Sequence, residues 1–258
     1  MEDDEMEATS ASRVQSVERA IRLLELLTQH TELTLGQLAS LAEMHKSTAY
    51  RLLHTLMGLG YAVQDEEQGN YRVGLRLVEM GGRAMRSWPL HRAAEPAMER
   101  LAQSLGEAVN LAVEDNLTMV YVATVDAQNL LRMQLNVGRR APMHCTAVGK
   151  AVLAIDPVRV ERLKASHPEL PRLTPGTLAQ WRDLDAELAR VRSRGFAIDD
   201  EEQEIGARCV AAAIVDVRGR VRGAIGISAP SARLSLERAM EVGPAIVAAA
   251  QLVARHLP

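Results

Sequence analysis

The sequence predicts an α+β protein made of two unequal parts. In residues 14–60, apolar side chains recur at helical spacing, and a short pattern typical of a β-hairpin follows. From about residue 105 onward, short apolar runs typical of strands alternate with helical segments, and the chain closes with a long helical segment. We therefore expect a mainly α first domain with a β-hairpin, followed by a larger α/β domain with a largely antiparallel sheet.

Composition limits the function classes. The 258 residues are 47% hydrophobic and 24% charged, the balance of a globular protein with real cores. The net charge of −3 does not indicate a nucleic-acid partner, so such a partner would have to be recognised by a local patch. Residues 1–12 form an acidic tail unlike the start of a signal peptide, and the apolar run 245–253 is too short to span a bilayer. We expect a cytoplasmic protein without a membrane partner, with Cys145 and Cys209 as reduced thiols.

The first part has the element order of a winged helix-turn-helix. Helices are predicted at 14–30, 35–42 and 46–59, followed by a hairpin of strands 61–64 and 70–73. Thr34 and Gln37 have the spacing of a capping box at the start of the second helix. Gly60 is predicted to end the third helix.

The second part is predicted from alternating strand and helix patterns. A helical pattern over 75–105 is interrupted at Trp88 and Pro89, a predicted hinge. We expect strands at 109–113, 119–125, 130–135, 196–199, 209–217 and 221–227, and helices at 146–155, from Pro157, from Thr177 to Gly195, and over 234–257 with a kink at Pro244. The predicted organisation is a tail (1–12), a winged helix-turn-helix (13–76), a linker helix (77–91) and a second domain (92–258).

The third helix has the side chains of a DNA-reading element. In a helix-turn-helix, the N-terminal residues of the second helix of the motif reach base edges, and hydroxyl and cationic side chains contact phosphates. The candidates are His45, Lys46, Ser47, Thr48, Tyr50, Arg51 and His54, with Arg72 from the hairpin. The polar members lie opposite the apolar face of the same helix, as contact with the major groove requires.

Two features oppose DNA binding. Glu43 stands in the turn, where a left-handed backbone costs a non-glycine residue roughly 1–2 kcal/mol. Acidic residues 65–67 at the hairpin tip would repel phosphates, so we expect little contribution from the hairpin except from Arg72. The alternative is a winged-helix module used only for dimerisation or protein contact, and we favour DNA binding because the polar cluster occupies the reading position.

Taken together, these motifs resemble the IclR family of transcriptional regulators. The resemblance is carried by residues 17–21 (VERAI), 46–53 (KSTAYRLL), 138–151 (GRRAPMHCTAVGKA), 195–202 (GFAIDDEE), 209–213 (CVAAA) and 223–228 (GAIGIS). The departures are Glu43 for a turn Gly, Ala213 where Pro is frequent, and Gly226 where a second Ser is frequent. The resemblance implies a GAF-like effector domain, dimers that pair into tetramers, and repression or activation controlled by a ligand.

The same resemblance implies an effector site in the second domain. The matching positions are Thr146, Ala147, Val148, Asp200, Cys209 and Ser228, and we add Met133 and Met143 as adaptable apolar walls. A helix that starts with small residues at Thr146 leaves amides accessible to a carboxylate. We expect a small organic acid, and the 3% aromatic content disfavours stacking on a large aromatic ligand. Each residue also has a plain alternative: Cys209 as a core thiol, Ser228 as a strand end, and 199–202 as a solvated turn.

Enzymatic function is the competing interpretation. His144 and Cys145 are adjacent, but neighbours in sequence rarely face each other, and no orienting partner is evident. Gly149 and Lys150 lack the following Ser or Thr and the leading Gly of a phosphate-binding loop. The His and Cys residues lack paired metal-ligand spacing. We expect a regulator with no catalytic residues, no metal and no cofactor, whose partners are double-stranded DNA, the effector and other copies of the chain.

Overall fold

The computed structural model describes residues 14–126 and 136–257. The chain divides into two compact units, one up to Arg86 and the other from Ser87 onward. Each unit has its own cluster of buried apolar side chains. Met133 and the predicted strand at 130–135 lie outside the described residues. In the described part, no helix is long and apolar enough to cross a membrane.

The first three helices of the first unit lie where the sequence predicts them, and the two predicted signals at their ends are present. They are α1 (Gln15–Gln29), α2 (Leu35–Leu41) and α3 (Lys46–Gly58). At the start of α2 the Thr34 hydroxyl accepts from the Gln37 amide at 3.2 Å, and the Gln37 side chain accepts from the Thr34 amide at 2.8 Å, so the capping box is confirmed. After α3, Gly60 has a φ of +80° and its amide donates to the Met57 carbonyl at 2.9 Å. This left-handed glycine ends the helix as predicted.

The predicted hairpin is also present. Strands β1 (Ala62–Gln64) and β2 (Tyr71–Val73) pair antiparallel, and Tyr71 also bridges Leu33 ahead of α2. The core beneath them is built almost entirely of leucines from the three helices, including Leu23, Leu38 and Leu53. Helix α4 (Leu75–Ser87) follows and has no buried residue. The order helix, helix, turn, helix, hairpin is that of a winged helix-turn-helix.

The second unit is one antiparallel sheet with helices. Its elements are α5 (Pro89–Leu105), β3 (Ala108–Asp115), β4 (Thr118–Val125), β5 (Arg140–Pro142), α6 (Ala147–Ile155), α7 (Pro157–Ser166), α8 (Trp181–Arg194), β6 (Ala197–Asp200), β7 (Ala207–Val215), β8 (Val221–Pro230) and α9 (Leu236–Arg255). The six strands lie in the order β5-β4-β3-β8-β7-β6, and every neighbouring pair is antiparallel. The predicted α+β class with a largely antiparallel sheet is confirmed.

The two faces of this sheet pack against different helices. Ala197, Ala211 and Ala224 belong to the cluster that contains residues of α6, α7 and α8. Phe196 points the other way, because a Cβ added to Gly243 of α9 would lie 2.3 Å from its ring. Side chains alternate along a strand, so each residue of β6 faces either α6 or α9.

The start of α8 in the second unit differs from the sequence-based prediction. The helix expected to start at Thr177 starts at Trp181, and its N-cap Gln180 makes no side-chain capping bond. The Thr177 hydroxyl instead accepts from the Thr174 amide at 2.8 Å and donates to the Glu202 carbonyl at 2.6 Å, so it is not available as a cap. Pro244 lies inside α9, which continues as one helix on both sides of it, and the kink expected there stays a prediction.

Candidate functional site

Helix α3 presents a polar face to solvent and an apolar face to the core. Ala49, Leu53 and Leu56 are buried. The exposed side chains on the opposite side are Lys46, Ser47, Tyr50, Arg51 and His54. This face therefore has the cations, hydroxyls and aromatic groups that reach into a major groove.

The start of α3 leaves its polar groups accessible. His45 is the N-cap but makes no side-chain capping bond, and its side chain is exposed. Thr48 is half-buried one turn further on. The Tyr50 and His54 rings lie 6.2 Å apart between centroids. Within the described residues neither Lys46 nor Arg51 is in an ion pair, so both charges are available to phosphates or base edges.

The hairpin tip has an acidic structure of its own. The Asp65 carboxylate accepts from the amides of Glu67 at 3.0 Å and Gln68 at 2.8 Å, and these bonds lower the pKa of Asp65. Arg72 is exposed on β2. Glu43 has a φ of +51°, the left-handed conformation expected of this turn.

In the second unit, five polar side chains line up across the sheet, and we call them the polar row: Thr124, Asn110, Ser228, Cys209 and Asp199. Strand register places Asp199 opposite Cys209 and Cys209 opposite Ser228. The Cys209 thiol donates to the Ser228 hydroxyl at 3.2 Å, and the Asn110 amide donates to the same hydroxyl at 3.1 Å. The Thr124 hydroxyl donates to the Asn110 carbonyl oxygen at 3.1 Å. The row is thus one hydrogen-bonded chain from β4 to β7, with Asp199 at its end.

The N-terminus of α6 lies on the same side of the sheet. Thr146 caps it, accepting from the Gly149 amide at 3.1 Å and donating to the Pro142 carbonyl at 2.7 Å. The next two amides, of Ala147 and Val148, donate no hydrogen bond within the described part of the chain, although both residues are buried. Two buried donors at a positive helix end are suited to an anion.

Electrostatic coupling connects this helix end to the polar row. Burial raises the pKa of Cys145, just before Thr146, to about 12, and the nearby Asp199 carboxylate adds to the rise. Burial likewise raises the pKa of Cys209, again with a contribution from Asp199. Tyr121, buried on β4, has its pKa raised by burial and then by Cys209 and Asp199. Asp199 contributes to the pKa of all three groups, so they lie near it, and burial keeps Cys145, Cys209 and Tyr121 neutral at pH 7.

Comparison with known proteins decides the family. The model described as bacterial transcriptional regulator IclR C-terminal matches residues 82–255, and the IclR helix-turn-helix domain matches residues 16–66. The chain belongs to the IclR family. Its members are ligand-responsive, DNA-binding transcriptional regulators, and the resemblance seen in the sequence is confirmed.

Relatives match this IclR-family chain over nearly its whole length. It is 34% identical to the transcriptional regulator KdgR of Escherichia coli over 95% of this chain and 93% of KdgR. It is 33% identical to the transcriptional repressor IclR of Escherichia coli over 95% of this chain and 91% of that protein. A Thermotoga maritima IclR structure superposes with a TM-score of 0.79 at 26% identity, covering 94% of this chain and 98% of that one. An IclR homologue from Microbacterium hydrocarbonoxydans, complexed with 4-hydroxybenzoate, gives 0.81 at 26% identity over 94% and 99%.

Most predicted effector residues of this IclR-family chain lie together. Thr146, Ala147, Val148 and Met143 are buried at the start of α6, on the side of the sheet that Cys209 faces, and Ser228 is bonded to Cys209.

Asp200 is not part of this group, because it shares the α9 side of β6 with Phe196. Its carboxylate accepts from the Arg208 guanidinium at 2.8 Å, and strand register places it opposite Arg208. The acidic residue of β6 that faces α6 is Asp199.

Sequence reasoning missed four contributors to this region. Asn110 and Thr124 belong to the hydrogen-bonded part of the polar row, and Asp199 lies at its end. Tyr121 is buried on β4, near Cys209 and Asp199. A polar side chain inside a run of buried strand residues is the signal that Asn110 offered, since a buried amide requires partners.

The geometry gives no support to a thiol nucleophile at His144 and Cys145. The His144 Nε2 atom lies 2.9 Å from the Pro171 carbonyl oxygen, and burial lowers the pKa of His144. The Cys145 thiol, with its raised pKa, is a poor nucleophile. A Cβ on Gly149 would lie 2.3 Å from the Met143 carbonyl oxygen, so this glycine serves close packing of α6. In residues 14–126 and 136–257, no three His, Cys, Asp or Glu side chains are grouped to hold a metal.

Proposed function

We propose that this chain regulates transcription by binding an operator through α3 and a small organic acid at the N-terminus of α6, with the acid altering operator binding. The observation that carries the effector assignment is the pair of buried residues Ala147 and Val148 beside the polar row, whose amides donate no hydrogen bond within the described part of the chain. A carboxylate would satisfy both amides without a basic side chain. The 4-hydroxybenzoate complex of the Microbacterium homologue supports a carboxylate as the ligand class.

Within this proposal, side chains of the polar row form hydrogen bonds with the part of the effector beyond its carboxylate. Ser228 accepts hydrogen bonds from Asn110 and Cys209, so its own proton is free to donate to a ligand oxygen. Met143, buried nearby, provides an apolar wall. Met133 lies outside the described residues and stays a prediction, whereas Asp200 is bonded to Arg208 and has no described contact to this group.

DNA binding is proposed to rest on His45, Lys46, Ser47, Thr48, Tyr50, Arg51 and His54 of α3 and its cap, with Arg72 from the hairpin. The hairpin tip carries negative charge, so the affinity for DNA must come from α3, and from more than one copy of it. Single modules bury little surface, whereas paired modules read two half-sites.

Self-association is proposed from exposed apolar side chains on the first unit. Val17 and Ile21 of α1 are 57% and 50% exposed, and Leu75 and Val78 of α4 are 77% and 69% exposed. Each pair shares one side of its helix, at a spacing of three or four residues. We propose a dimer that can pair into a tetramer, with residues 77–91 as the linker, which spans the end of α4 and the start of α5. Light scattering coupled to size-exclusion chromatography measures this directly.

The test is binding of the full chain to its own upstream DNA over a salt series, with and without 4-hydroxybenzoate, benzoate, acetate, glycolate and succinate. We expect specific, salt-sensitive binding to this DNA, with an affinity that one of the acids changes. Arg51→Ala should weaken specific binding at least about tenfold. Arg83→Ala, which removes the same charge from exposed α4, is the matched control and should change it much less.

Ser228→Ala should remove the response to the acid and leave basal DNA binding in place. A response that survives in Ser228→Ala would move the effector site elsewhere. Failure of the full chain to bind any DNA in a genomic selection would favour a protein-contact module.

A further inference from the structure

Two carboxyl groups and one ammonium group are buried together behind the effector site. Asp199 is 2% exposed, Glu202 is 5% exposed and Lys150 is fully buried. Lys150 Nζ, on α6, forms an ion pair with Glu202 Oε1. A single buried cation balances a single carboxylate, so ionising both acids would leave a net negative charge inside the protein.

The position of the single buried cation decides which acid stays neutral. Direct contact with Lys150 favours the ionised form of Glu202, against the burial that raises the pKa of Glu202. Among the described residues no cation contacts Asp199, and Oδ1 accepts from the amides of Glu202 at 2.8 Å and Gln203 at 3.4 Å. Burial raises the pKa of Asp199 to about 7 and the charge of Glu202 adds to the rise, while the amide bonds and Lys150 act against it. Asp199 is therefore the acid that retains a proton near pH 7.

The other titratable groups around Asp199 do not change this balance. Three of them are neutral at pH 7 because burial raises the pKa of Cys145 to about 12 and raises those of Cys209 and Tyr121. Burial lowers the pKa of His144, which is therefore also neutral.

The charged neighbours already have partners. Arg139 lies 3.9 Å from Glu204, and both side chains are partly exposed. On α8, Glu187 is bonded to Arg190 at 2.8 Å and to Arg194 at 2.6 Å. No second buried cation faces Asp199 from the described residues.

We propose that Asp199 meets an anionic effector as a neutral carboxylic acid, donating its proton in a hydrogen bond to the effector's carboxylate. This inference rests on the proposed function, since it concerns the same site. An ionised Asp199 would repel the arriving carboxylate, whereas the protonated acid shares one proton between two carboxyl groups. Wherever Asp199 is ionised in the free protein, binding therefore takes up one proton from solvent, and the effector response weakens as pH rises.

The experiment measures the affinity of the full chain for the same five acids by calorimetry from pH 6 to pH 8.5. We expect the Kd of the bound acid to rise by up to about tenfold per pH unit above pH 7. At pH 8, titrations in two buffers of different ionisation enthalpy should show close to one proton taken up per acid bound. This measurement uses the unaltered protein and does not depend on any variant folding.

The second part of the experiment uses Asp199→Asn, because the side-chain amide of asparagine donates a hydrogen bond but cannot ionise. It should bind with a flat pH profile and more tightly than the unaltered chain at pH 8.5. Asp200→Asn, on the other side of β6, is the matched variant and should keep the wild-type slope.

The outcomes separate the two proposals. A flat wild-type profile without proton uptake overturns the role of Asp199 and leaves carboxylate binding standing. A folded Asp199→Asn that binds no acid at any pH also overturns it, because an ionised acceptor would then be required. If none of the acids binds the unaltered chain even at pH 6, the carboxylate proposal fails and this inference fails with it.

Discussion

Replacing Lys150 with Met should destabilise the second unit by about 3–5 kcal/mol, the usual cost of removing one partner of a buried ion pair. Lys150 is fully buried, and Glu202 Oε2 has no hydrogen-bond partner in the described structure. Without the ammonium group, Glu202 must either carry a buried charge with nothing to balance it or take up a proton. Methionine fills much of the same volume, so the loss would report the charge and not a cavity.

The assay is urea unfolding of the full chain in a Trp88→Phe background, followed by tryptophan fluorescence. Trp181, the other tryptophan, packs against the core of the second unit, and its Nε1 donates to the His167 carbonyl at 3.1 Å. The matched control is the double variant Lys150→Met with Glu202→Gln, which removes both charges. We expect the double variant to recover part of the loss, because a neutral amide is cheaper to bury than a carboxylate.

The loss should also depend on pH. In Lys150→Met, burial still raises the pKa of Glu202, and the cation that lowers it is gone. The native variant then holds a proton that the unfolded chain releases above the ordinary pKa of 4.5. Its stability relative to the parent must therefore fall as pH rises above about 4.5. A loss below about 1 kcal/mol, a loss equal at pH 5 and pH 8, or no recovery in the double variant would refute the charge-balance argument.

Three further changes test other parts of the structure. Glu43→Gly should stabilise the first unit by about 1 kcal/mol, because it relieves a left-handed backbone, and an unchanged urea midpoint would contradict this. Glu66→Lys with Glu67→Lys should tighten DNA binding and steepen its salt dependence by up to about two counterions, and an unchanged salt slope would place the hairpin tip away from phosphates. Gly149→Ala should cost about 1–3 kcal/mol and weaken effector binding, because its Cβ would lie 2.3 Å from the Met143 carbonyl oxygen. Unchanged melting of Gly149→Ala would mean that the start of α6 adapts freely.

The first unit was predictable because its signals are local. The capping box of Thr34 and Gln37 and the glycine at position 60 each act within one turn of helix, and the structure uses both as the sequence indicates. The start of α8 was mispredicted for the opposite reason. Thr177 has the sequence signature of a cap, but its hydroxyl bonds the Glu202 carbonyl 25 residues away. A local pattern cannot reveal a competing partner that only the fold brings near.

In the effector site, two adjacent acids on β6 have different roles, and only one of them faces the site. The predicted strand at 196–199 and the observed β6 (Ala197–Asp200) differ by a single position, and adjacent acids lie on opposite sides of it. Asp199 faces the polar row, whereas Asp200 pairs with Arg208. Because side chains alternate along a strand, two adjacent acids face opposite sides of the sheet, and taking one for the other chooses the wrong side. The acidic pair was therefore recognisable from the sequence, but the member that faces the site was not.

Polar residues within otherwise apolar strand segments would have located the site better than motifs in loops and at helix termini. Asn110 in β3 and Ser228 in β8 are buried among apolar neighbours and are separated by 118 residues, yet they bond each other at 3.1 Å. Each alone would cost the protein the desolvation of an unpaired group. Their persistence inside separate strands therefore implies that those strands are neighbours in the sheet and that the polar residues share one face. Asp199 extends the same reasoning, because a buried acid at the end of the row is stable only with a proton or a cation, and Lys150 is already paired with Glu202.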